Sequence, residues 1–153
     1  MVMSRKAQTT TEKVLAAALA ITIVVAALII LSFVYTIHNT GYIKATGIGV
    51  FVDPACTQTL SSINWGTLYP GNTVGTIAYV KNIQTTNVTM KLTTSGWSPS
   101  NAPTYITCTW NYTGVALQPS AVLLVQFKLA IASNVTGIGT FSFDMNINAT
   151  STS

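Results

Sequence analysis

Charge is what this 153-residue sequence has least of, with seven Lys or Arg, three Asp or Glu and one His. General acid–base catalysis needs a second titratable group near the first, and beyond Glu12 the chain offers only Asp53, Asp144 and His38. Asp53 stands before Pro54 in a turn signal, and Asp144 occupies a polar phase of an alternating strand, so both read as structural. Serines without a base make no triad, and no enzyme is expected. Cysteine is nearly absent too: Cys56, Cys108 and the lone His38 are too few ligands for a metal site, and no cofactor is expected. The formal charge of +4 does not point to nucleic acid, because Lys44, Lys81, Lys91 and Lys128 are scattered and form no basic stripe.

One stretch lacks charge, Gly and Pro altogether. From Val14 to Ile37 the chain reads VLAAALAITIVVAALIILSFVYTI. As a helix it would be about 36 Å long, enough for a hydrocarbon core of about 30 Å. It is too long for a secretory signal core and no A-x-A-like site follows, so it is expected to span a membrane once. Arg5, Lys6 and Lys13 precede it and the first Lys after it is Lys44, which orients the N-terminus to the cytoplasm and the rest outside. His38-Asn39-Thr40-Gly41 supplies residues suited to a helix C-terminus. The expected organisation is a leader over 1–13, a transmembrane helix over 14–38 and an outer domain over 41–150.

The outer chain alternates. A β-rich segment runs from Tyr42 to Val52, with bends or bulges expected at Gly47 and Gly49, and ends at Asp53-Pro54. A short segment around Ile63 and a Pro70-Gly71 turn precede a strand over 73–82. Val88, Met90 and Leu92 then alternate with Thr89, Lys91 and Thr93, and Ser95 to Pro103 reads as a loop. Ile106, Cys108 and Trp110 form the next apolar row, followed by Leu123, Val125, Phe127, Leu129 and Ile131, and finally by Phe141, Phe143, Met145 and Ile147. About seven strands with short connections and no helical pattern between them predict a mainly β fold, an antiparallel β-sandwich behind the N-terminal helix.

The leader carries a resemblance. Arg5-Lys6-Ala7-Gln8-Thr9-Thr10-Thr11-Glu12, ahead of a long apolar helix, resembles the class III signal of archaeal type IV pilin-like proteins over about the first 38 residues. The resemblance implies cleavage by a prepilin peptidase after Ala7, with Gln8 as the new N-terminus and Glu12 fifth in the mature chain. It also implies self-association: the Glu12 carboxylate would meet a neighbouring subunit's free amine among packed helices. Ala17, Ala18, Ala20, Ala26 and Ala27 would let those helices approach closely. The outer part is similar to immunoglobulin-like sandwiches of archaeal surface proteins, on the strength of Trp65-Gly66-Thr67-Leu68-Tyr69-Pro70-Gly71, Tyr79-Val80-Lys81-Asn82 and Trp110-Asn111-Tyr112.

Two readings stay open at this point. In one, the protein is a cell-surface filament subunit, helix in the core and sandwich outside. In the other, an uncleaved signal anchor permanently presents a surface domain that binds other surface proteins or ligands. Both make the membrane a partner. An even cysteine count on an oxidising side favours a Cys56–Cys108 disulfide, while the phase of Cys108 with Ile106 and Trp110 equally suits a small buried hydrophobe. Four sequons, at Asn87, Asn111, Asn134 and Asn148, are candidates for N-glycosylation on an outer domain. Asn111 and Asn148 are expected on outward strand positions and Asn134 in a turn.

Overall fold

A computed structural model describes residues 37–152. Ala7, Gln8, Glu12 and the apolar run as far as Thr36 lie outside the described residues. Eight strands follow one another: β1 (His38–Thr46), β2 (Ile48–Phe51), β3 (Ser62–Asn64), β4 (Thr73–Asn82), β5 (Asn87–Ser98), β6 (Ile106–Trp110), β7 (Val122–Ile131) and β8 (Thr140–Thr152). They make two four-stranded sheets, ordered β3-β1-β8-β5 and β2-β4-β7-β6. A single 3-10 turn at Ala102–Thr104 links β5 to β6, and among the described residues no helix is long and apolar enough to cross a membrane.

The period-2 rows meet between the sheets. Successive side chains of a strand point to opposite faces, so Phe141, Phe143, Met145 and Ile147 of β8 all turn inward, as do Val125, Phe127, Leu129 and Ile131 of β7. Trp97 stacks on Phe143 with ring centroids 4.2 Å apart, and Trp110 lies nearly parallel to Phe127 at 5.9 Å.

Three expectations are corrected. The sandwich is not wholly antiparallel: β1 and β8 pair in parallel, from His38 opposite Thr140 to Thr46 opposite Asn148. The first and last strands can pair this way because the whole intervening chain serves as their crossover. The bend expected at Gly47 is present: with φ of +76° it turns the chain out of one sheet and into the other and divides Tyr42 to Val52 between β1 and β2. The stretch from Ser95 is not all loop, because β5 continues through a bulge to Ser98, where Trp97 is anchored on Phe143.

The third correction concerns His38 to Gly41, which open β1. Ile37 exchanges main-chain hydrogen bonds with Leu68, at 2.9 and 3.1 Å. Asn39 is buried, its Oδ1 accepting from the Trp65 N–H and its Nδ2 donating to the Gly66 carbonyl. At Gly41 a Cβ would come within 3.0 Å of Trp65 Nε1, so glycine serves close packing there. Asn and Gly are common to helix ends and to such contacts, which is why the local signal pointed elsewhere.

Candidate functional site

The three titratable groups singled out from the sequence stay apart. Asp53, in the loop after β2, accepts the N–H groups of Gln58 at 2.8 Å and Thr57 at 3.1 Å. These bonds, that from Gln58 foremost, hold its carboxyl below the usual carboxylate range. Asp144, on the outer face of the first sheet, pairs with Lys44 Nζ at 2.6 Å. His38 stands four registers below it, roughly 13 Å along the sheet. Among the described residues no three His, Cys, Asp or Glu side chains converge.

Both cysteines are free thiols in this structure, so of the two readings left open the bridge is not formed here. Cys56 follows the Asp53 turn in a left-handed conformation, with φ of +56°. Cys108 belongs to β6 and reaches across the sandwich, its Sγ 3.5 Å from Met145 Sδ. Burial pushes the Cys108 thiol up to about 12, which keeps it protonated and inert. The small-hydrophobe reading of Cys108 is the one that fits.

All four sequon asparagines are exposed. Asn148 sits on the outward phase of β8 opposite Lys91, and Asn87 opens β5 opposite Thr152, so both stand on the outer face of the first sheet. Asn134 lies in the turn between β7 and β8. Asn111 directly follows β6 and prolongs its ladder: its N–H donates to the Gln126 carbonyl at 3.2 Å, and its Oδ1 accepts from the Gln126 N–H at 2.8 Å.

The outer faces differ chemically. The first sheet's face is polar, with the Lys44–Asp144 pair and Asn146 donating to Ser95 Oγ at 2.8 Å. The second sheet carries an apolar row running Phe51, Tyr79, Leu124 across β2, β4 and β7, flanked by exposed Ile77 and Val122. Charges on this face are the cations Lys81 and Lys128. Alternation alone does not reveal this face, since Ile77 and Leu124 occupy phases where a solvent-facing residue is expected to be polar.

At the β6 margin of that face a cleft of about 290 Å³ opens between β7 and the segment after β6, walled by Asn111, Thr113, Val115, Leu123 and Leu124. Tyr112 holds the segment in place. Its hydroxyl donates to the Val115 carbonyl at 2.7 Å and accepts from the Met90 N–H of the other sheet at 3.3 Å. The cleft has no Asp, Glu, His, Lys, Arg or Cys in its walls and offers apolar surface beside amide and hydroxyl groups.

Neither a scan against protein-family models nor a search of curated proteins finds a match for this chain.

Proposed function

We propose that this protein is a non-enzymatic cell-surface structural protein, a type IV pilin-like filament subunit whose outer domain is an immunoglobulin-like sandwich. The observation that supports it best is the join at Ile37. Ile37, the last residue of the apolar run, is already hydrogen-bonded to Leu68 within the sandwich, so in sequence the apolar run leads directly into the first strand. The leader supports the same reading, with Lys6-Ala7 at the cleavage position and Glu12 five residues into the mature chain. A surface rich in hydroxyls and amides and poor in charge suits exposure outside the cell, where four accessible sequons are glycosylation candidates.

The intact mass of protein from its native host, after glycan removal, tests the proposal. A chain beginning at Gln8 in sheared extracellular material is the expected result. A chain that retains Arg5 and Lys6, recovered only with detergent, would exclude the filament subunit and leave the permanently anchored surface domain.

A further inference from the structure

We propose that Asn111 is an N-glycan attachment site and that the first sugar of the glycan is seated in the cleft beside it. The inference rests on the extracytoplasmic placement of the sandwich. Its starting point is that every residue of the sequon Asn111-Tyr112-Thr113 lines the cleft. The Asn111 side chain is also oriented in advance. Oδ1 is committed to the Gln126 N–H, while Nδ2, the atom that would be glycosylated, donates to no protein group among the described residues.

The cleft offers a sugar what it needs. A pyranose has apolar C–H faces and a rim of hydroxyls, and it binds where apolar surface adjoins water and a few polar groups. Leu124, 48% exposed, and Val115, 68% exposed, form the apolar shelf. The Tyr112 hydroxyl, bonded to the Val115 carbonyl, fixes that shelf relative to Asn111. A volume of about 290 Å³ lies at the lower edge of small-ligand pockets, room for about one ring, with the rest of the glycan in solvent. The other sequons have different surroundings: Asn148 stands opposite Lys91 and Asn87 opposite Thr152 on the polar face, and Asn134 sits in a turn.

The chemistry is a glycosyl transfer from a sugar activated at C1 as a phosphate or pyrophosphate ester, carried out by a separate transferase. The C1–O bond breaks and its electron pair leaves with the phosphate. The C1–Nδ2 bond forms, and one amide proton passes to a base of the transferase. No group is oxidised or reduced. Once attached, the sugar would cover Leu124 and Val115, which otherwise face water.

Peptide mapping by mass spectrometry of protein from its native host reads the modification. A glycan on Asn111 that is lost in Thr113→Ala and kept in Thr113→Ser is expected. Thr113 is exposed, and its replacement spares the Asn111–Gln126 bond, so the variant should fold. Seating is read by amide hydrogen exchange over 111–117, which should be several-fold slower in the glycosylated protein than in Thr113→Ala. Equal exchange would overturn the seating. An impermeant thiol label on Tyr42→Cys, in a chain also carrying Cys56→Ser, separates the two layers of inference when applied to intact cells. Labelling without a glycan on Asn111, even with glycans on other sequons, overturns the proposal and leaves the outside placement. Absence of both the label and the glycan overturns both.

Discussion

Asn82 shows how much a single side chain can hold together. It closes β4 and is only 1% exposed, yet every polar atom of its side chain is used. Nδ2 donates to the carbonyls of Thr86 at 2.8 Å and Leu117 at 2.9 Å, and Oδ1 accepts from the Gln84 N–H at 2.8 Å. The turn into β5 is thereby tied to the segment ahead of β7. Asn82→Ala would leave the Thr86 carbonyl and the Gln84 N–H without these partners, while the Leu117 carbonyl keeps the Val88 N–H, and should cost about 2 kcal/mol, read from urea midpoints. Asn82→Asp should do no better, because a carboxylate cannot donate to either carbonyl. A variant equal to the native protein would show that water replaces these bonds. Trp65 is the converse case, its buried Nε1 having no acceptor among the described residues.

At the scale of elements, the joint between β1 and β2 decides which sheet each strand joins. Gly47 has φ of +76°, and a Cβ there would approach Ala149 Cβ to 3.2 Å. Gly47→Ala should therefore destabilise by roughly 1–2 kcal/mol, from left-handed strain with a crowded neighbour added. Equal unfolding midpoints would mean that the joint relaxes and that φ there is not constrained. The same joint explains why an eleven-residue β-rich segment, Tyr42 to Val52, cannot be one strand: its inward residues face two different sheets.

For the molecule as a whole, Cys108 reports on the closure of the sandwich, since its Sγ meets Met145 of the opposite sheet. In native protein at pH 8 an alkylating reagent should modify Cys56 readily and Cys108 only as the sheets part, whereas unreduced denatured protein should titrate two thiols. A count of zero thiols would restore the disulfide. The pH dependence follows from the raised value. A thiol with an ordinary pKa of 9.0, pushed up to about 12 by burial, favours the folded state fully below pH 9. That stability is lost as pH rises from 9 through 12, because the unfolded chain ionises first. Urea midpoints should fall between pH 9 and 11, and Cys108→Ala should flatten the fall. The folded thiol is partly exposed, so the effect will be smaller than full burial would give.

What the sequence by itself determined is local. The inward rows of β7 and β8 follow from alternation, because one buried face and a side-chain period of two leave no other register. The bend at Gly47 and the turn at Asp53 are legible because backbone conformation restricts which residues can stand there. The tertiary structure alone decided everything that depends on long-range partners. Nothing near Asn39 or Gly41 tells that Trp65 will pack beside them, so helix end and buried strand look alike. The parallel closure of β1 on β8 joins residues about a hundred positions apart, beyond the reach of any local periodicity. The candidate site follows the same division. The sequon at Asn111 is visible as a motif, but the shelf of Leu124 and Val115 exists only where β7 and the segment after β6 come together.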